Sequence, residues 1–249
     1  MSSRIRLGML TPSSNTVLEP MTYAMIGALP EVSAHFARFR VVEISLEQEY
    51  LAQFDEGILL AAAERLAEAR VDVIAWNGTS SGWLGFEKDD ELCRSITRAT
   101  GIPATTSMLA LNEVLQTTNV RSYGLVTPYL SDVQYRIIAS YERLGLRCQA
   151  EAHLGLKENF AFAEVGECLI RARVAAVAKA GPDAIAIICT NLRAAHLAAS
   201  LEAEFGIPVY DTVATAVWKS LKIAGAPASE VTGWGSLFNQ PGLGEKETG

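Results

Sequence analysis

The chain has 249 residues, 49% of them hydrophobic, enough to bury a substantial core as one large domain or two small ones. Its formal net charge of −7, with lysines and arginines scattered, argues against a nucleic-acid surface and against a membrane-binding patch. No apolar run reaches membrane-spanning length and a first strand expected from about Ile5 leaves no room for a signal peptide, so a soluble cytoplasmic protein is expected.

Short β-rich apolar runs alternate with longer helical patterns along the whole chain. Strands are predicted at Arg4–Leu10, Phe39–Glu43, Val71–Trp76, Pro103–Thr105, Ser122–Val126, Cys148–Leu154, Ala184–Cys189 and Val209–Thr212. Helices lie between them, for example Asp55–Ala69 with its Leu/Ala stripe, and Asp132–Leu144. An unbroken apolar run such as Ala184–Ile188 implies burial on both faces, as in parallel sheets, and the alternation implies a doubly wound α/β architecture.

Three motifs recur in the same order, separated by similar lengths of chain. Arg6–Pro12 (Arg-Leu-Gly-Met-Leu-Thr-Pro) matches Ser122–Pro128 (Ser-Tyr-Gly-Leu-Val-Thr-Pro); Asp72–Ser80 matches Asp183–Asn191; Gly101-Ile102-Pro103 matches Gly206-Ile207-Pro208. Such ordered self-similarity predicts two pseudo-symmetric halves, residues 1–116 and 117–212, with the segment from about 213 to 249 packing back on the first. Ligands of open parallel sheets bind beyond the carboxyl ends of the strands. Two halves face to face would therefore set Thr11–Asn15, Gly78–Ser81, Thr127–Tyr129 and Cys189–Asn191 around one cleft.

The candidate chemistry lies in these segments. Cys189 ends a strand, and the following Thr190–Ala195 reads as a helix start, where a thiol can have a lowered pKa and exchange protons near neutrality. The alternative for Cys189 is a small buried hydrophobe. Gly78, Thr79, Ser80 and Ser81 offer hydroxyl and backbone donors for an anion, or only an ordinary strand-to-helix turn. Pro12, Ser13, Ser14 and Asn15 form the first-strand counterpart, and Tyr129 adds a phenol from the other half; Asn15 could equally cap a helix and Tyr129 pack over one. Together these residues point to a small carboxylate substrate.

Other chemistries lack support. Cys93, Cys148 and Cys168 fall inside helix or strand patterns and read as structural; no CxxC occurs, and His35, His153 and His196 are far apart. No GxGxxG or GxxxxGK[ST] motif is present, so neither a metal nor an organic cofactor is expected. Association into a homo-oligomer stays open.

The order of motifs resembles the aspartate/glutamate racemase superfamily, in the branch holding maleate cis-trans isomerases and arylmalonate decarboxylases. Gly8–Asn15 (Gly-Met-Leu-Thr-Pro-Ser-Ser-Asn) with Glu19-Pro20 is similar to the isomerases. Gly78-Thr79-Ser80, Thr127–Val133 and Gly233–Phe238 look more like the decarboxylases. The resemblance spans nearly the whole chain. It implies two similar α/β halves with the site in the cleft between them, and it adds Asn159 as a ligand contact.

Racemases and isomerases of this superfamily carry a cysteine at each of two pseudo-symmetric strand ends. Here the second is Cys189 and the first position is Gly78, the arrangement of the decarboxylase branch. The resemblance thus implies a cofactor-independent decarboxylase of a malonate-like diacid. Thr79, Ser80 and Tyr129 would hold one carboxylate and its enediolate, the departing carboxylate would face an apolar wall near Val42, Ile44 and Leu156, and Cys189 would protonate the carbanion. On this reading the Gly78 side of the cleft has no side chain, and Gly78→Cys would install a second proton carrier. Thr190 and Asn191 depart from the glycines usual in decarboxylases, which implies a second polar group on the substrate. A maleate isomerase or amino-acid or hydantoin-type racemase, and a non-catalytic carboxylate-binding homologue, are the competing expectations.

Overall fold

The computed structural model describes residues 4–242. Eight strands, β1 Ile5–Pro12, β2 Val32–Phe39, β3 Val73–Trp76, β4 Ala104–Thr106, β5 Ser122–Thr127, β6 Arg147–His153, β7 Ala184–Ile187 and β8 Val209–Asp211, make two four-stranded sheets. Both sheets are parallel, with orders β2-β1-β3-β4 and β6-β5-β7-β8. Of the central strands, β3, β5 and β7 are buried along their whole length, which is why β3 and β7 read as continuous apolar runs. Among the described residues no helix is long and apolar enough to cross a membrane.

The sequence repeat is a repeat of register. Leu7 lies opposite Val73 in one sheet and Tyr123 opposite Ala184 in the other, while Ile74 opposite Ala104 is matched by Ile185 opposite Val209. The paired aspartates act alike: Asp72 Oδ2 accepts the Arg6 N–H at 2.7 Å and Asp183 Oδ2 the Ser122 N–H at 2.8 Å, tying the first and third strands of each half. Gly101 and Gly206 close the helices before β4 and β8 with φ of +73° and +67°, a left-handed cap that glycine adopts without a Cβ penalty.

The second strand is displaced from its expected place. The alternation over Phe39–Glu43 predicts a strand there, but β2 runs Val32–Phe39 and ends where that prediction begins. β2 is an edge strand with mixed burial that carries Ser33, His35 and Arg38, so apolar content does not mark it. Beyond it the chain leaves the sheet, buries Val41 and makes a single bridge from Glu43 to Glu158 of the other half.

The halves share helices. Thr212–Ile223 leaves β8 of the second sheet and packs on Ser107–Thr117 of the first, where Thr215 Oγ1 donates to the Ser107 carbonyl at 2.9 Å and Lys219 pairs with Glu113 at 2.6 Å. The segment after it docks on the second half instead, with the Ser236 N–H donating to Glu202 at 2.7 Å. The helix Thr212–Ile223 starts at Asp211, whose Oδ1 accepts the Val213 and Ala214 N–H groups. Burial outweighs those donors and pushes the Asp211 carboxyl up to about 7. The native state therefore holds this proton more tightly than the unfolded chain, so the group costs nothing below about pH 4 and stability falls as pH rises towards 7. Asp211→Asn keeps an equivalent cap without the charge. Thermal unfolding should show the variant gaining several degrees over the parent at pH 8 and nothing at pH 4.

Candidate active site

The carboxyl ends of β1, β3, β5 and β7 converge on a hollow of about 20 Å3, the room of roughly one water molecule. Cys189, Thr79, Tyr129, Asn159 and Thr190 give it polar groups, with Pro12 and Gly78 supplying backbone. Its remaining wall is apolar: Val41, Ile44, Phe54, Trp76 and Trp83. Of the wall expected from the sequence only Ile44 takes part; Val42 is exposed and its neighbour Val41 turns inward, and Leu156 is elsewhere.

Cys189 does not start a helix. The residues after it form turns, and regular helix resumes only with the short segment Ala195–Leu197 and the helix Ala198–Phe205. The thiol is 2% exposed, and the Asn191 N–H points at its sulfur from 3.4 Å. The Cys189 N–H donates to Thr212 Oγ1 at 3.0 Å, which fixes the backbone. The expected lowering of its pKa is reversed. Burial pushes the thiol up to about 12, and the hydrogen bonds from Tyr129 and from backbone N–H groups of the turn offset this only in part. Cys189 is therefore a neutral S–H near pH 7. Tyr129 joins this thiol to Thr79, whose Oγ1 lies 2.7 Å from the phenol oxygen, and burial raises the phenol well above its ordinary value.

The other expected residues are spread over three environments. Ser80 faces a separate outer cavity of about 720 Å3, which shares Phe54 and Trp76 with the hollow as common wall. Ser81 donates to the buried Asp89 carboxylate at 2.8 Å, and Thr106 donates to the same oxygen. Ser14, Asn15 and Asn191 stitch the halves together. Asn15 Nδ2 donates to the Thr190 carbonyl at 3.0 Å while its Oδ1 accepts the N–H groups of Val17 and Leu18. Asn191 Oδ1 accepts the Thr16 N–H at 3.0 Å, and its Nδ2 donates to the Asn159 carbonyl at 2.6 Å. Asn159 Nδ2 donates to Ser14 Oγ at 2.7 Å. These amides are committed to protein partners, which removes the ground for expecting a second polar group on the substrate from their presence.

Gly78 occupies the position related to Cys189 by the repeat, and its surroundings overturn the expectation of a bare wall. A β-carbon on Gly78 would fall inside the indole of Trp76. Side chains two apart along an extended chain point the same way, so Trp76 reaches into the space that a side chain at 78 would fill. Trp76 is 1% exposed and rests on Phe39, with ring centroids 5.0 Å apart. Val41, Phe54 and Trp76 join the site without a place among the expected residues; a tryptophan two residues before an obligatory small residue was the available signal for Trp76.

Residues 27–238 match the arylmalonate decarboxylase family. The chain belongs to that family. It is 28% identical over 181 residues to an arylmalonate decarboxylase of Bordetella bronchiseptica, covering 72% of this chain and 75% of the relative. It is 25% identical over 236 residues to a maleate isomerase of Pseudomonas putida, covering 89% and 92%. Among solved structures, a maleate isomerase from Pseudomonas putida S16 with maleate superposes at a TM-score of 0.88 with 22% identity, covering 96% of this chain and 99% of the other. An arylmalonate decarboxylase superposes at 0.76 with 23% identity, covering 95% and 100%. The family match and these relatives place the chain in the aspartate/glutamate racemase-like superfamily, in the branch of maleate isomerases and arylmalonate decarboxylases, and the two solved structures share its fold.

Gly78→Cys is expected to be destabilising by about 1–3 kcal/mol, the usual cost of overpacking, because the new side chain and the indole claim one volume. In a Trp76→Ala background the same substitution should cost less or stabilise. Urea unfolding of the four proteins measures this coupling; additive effects would show that the indole moves aside freely.

Proposed function

We propose that the chain is a cofactor-independent decarboxylase of a malonate-like dicarboxylic acid, with Cys189 as its single proton donor. The observation that supports this reading is the pair formed by a buried, protonated thiol on one side of the hollow and the Trp76 indole in place of a second thiol on the other. Two-base racemisation needs a proton carrier on each face of a planar carbanion, and an indole carries none. Nucleophilic isomerisation needs a thiolate, which burial at Cys189 disfavours.

Decarboxylation fits both features, and it requires the walls of the hollow to part on binding, since its present room is about that of one water molecule. One carboxylate is retained by the Thr79 and Tyr129 hydroxyls, which exchange their mutual hydrogen bond for bonds to the substrate. The other lies against Val41, Ile44 and Phe54, where poor solvation of the charge favours loss of neutral carbon dioxide. The C–C bond breaks, its electron pair stays on the α-carbon, and the retained carboxylate becomes an enediolate stabilised by the same hydroxyls. The Cys189 S–H bond then breaks, its proton forms the new C–H bond from the sulfur side only, and the thiolate is reprotonated from solvent. The donor role of Ser80 requires a change in its present orientation towards the outer cavity.

A second reading is supported by the relatives. The maleate isomerases align over more of the chain than the decarboxylase does, and one Nocardia farcinica isomerase structure carries a covalent succinylcysteine. On this reading Cys189, with glycine at 78 in place of a first thiol, would work with a different partner or a bound water.

A carbon dioxide release screen across substituted malonates separates the two. Turnover should be lost by at least ~10²-fold in Cys189→Ala, and deuterium from heavy water should enter one enantiomer only. The rate should stay level from pH 6 to about pH 9, because the donor is the neutral thiol, whereas a thiolate nucleophile would make it climb with pH. Conversion of maleate to fumarate without gas release would replace the decarboxylase reading by the isomerase one.

A further inference from the structure

Among the described residues, one side-chain nitrogen in the wall of the hollow is buried without a hydrogen-bond partner: Nε1 of Trp83. The residue is only 5% exposed, so its N–H has neither a protein acceptor nor bulk water to satisfy it, a costly state for a donor. The ring is held in place by edge-on contacts, with the Phe54 centroid at 6.1 Å and that of Tyr129 at 5.4 Å. Trp83 thus abuts both the phenol that binds the first carboxylate and the apolar wall that faces the second. Among the described residues no lysine, arginine or histidine lines the hollow. The hollow thus holds the Thr79 and Tyr129 hydroxyls, and its wall includes the ring that carries this unpartnered neutral donor.

We propose that the indole N–H of Trp83 donates to the second carboxylate of the substrate, so that the site selects dicarboxylates over monocarboxylates. The inference rests on the hollow being the substrate site and not on the reaction that follows. A single uncharged donor admits the second carboxylate without a counter-ion. In the decarboxylation reading that bond exists in the bound substrate and is lost as carbon dioxide forms, so it lowers KM without accelerating the chemical step.

Calorimetric titration of the Cys189→Ala protein with methylmalonate, maleate and propionate tests this. Adding Trp83→Phe, which keeps the ring, should weaken the tighter-binding dicarboxylate about tenfold and leave propionate unchanged. In proteins with the full complement of tryptophans, labelled with ¹⁵N at the indole, the Trp83 N–H resonance should shift on adding that dicarboxylate and stay in place with propionate. This second measurement stands even where Trp83→Phe unfolds the chain. Equal weakening of both classes, an unmoved indole resonance at saturation, or no binding of either dicarboxylate would overturn the proposal. Loss of the decarboxylase reading looks different: no gas release from any malonate, with dicarboxylate selectivity still dependent on Trp83. In an active enzyme Trp83→Phe should raise KM and leave kcat level or higher, whereas a purely structural role would lower kcat.

Discussion

Two amides hold the carboxyl ends of the sheets against each other. Asn15 reaches Thr190 across the interface and Asn191 reaches back to Thr16, so the turn after β1 and the turn after β7 are mutually anchored. With the strand ends drawn together, Cys189 is left only 2% exposed, and desolvation sets its protonation state. Protonation in turn decides between acid and nucleophile. The functional reading therefore descends from a packing constraint between halves more than from any property of the cysteine's own turn.

Much of the architecture was legible because a repeated sequence implies a repeated register. The Gly-Ile-Pro pairs, the Asp72 and Asp183 pair and the Thr-Pro pair all proved to be equivalent points of equivalent sheets. Gly101 and Gly206 are fixed by a local demand, the left-handed cap, whereas Asp72 and Asp183 satisfy N–H groups 66 and 61 residues away and became legible through the repeat. β2 escaped because an edge strand is half wet and needs no apolar run. The turn after Cys189 escaped because Thr190-Asn191 suits a helix start and a loop equally well; the amide that decides it, Asn15, lies far away in the chain.

The site was legible in its polar half and opaque in its apolar half. Thr79, Tyr129 and Cys189 stand at strand ends, and topology alone collects strand ends into one place. Which side of each polar residue faces the hollow is another matter. Ser81 turns to Asp89, and Asn191 turns to Thr16, because buried carboxylates and orphan N–H groups compete for the same donors and acceptors a ligand would use. Val41, Phe54 and Trp76 contribute shape alone, and nothing in an apolar residue's identity distinguishes pocket wall from core.

The indole of Trp76 also governs which substitutions the strand end can accept. The two halves are alike in register, and their strand ends differ where one carries glycine beneath a large ring. With that ring in place, a mutation restoring a thiol at 78 meets a filled volume, while a mutation removing the ring first opens a void. Neither single step leads downhill, so the asymmetry of the two strand ends is held by the shape of the interior itself.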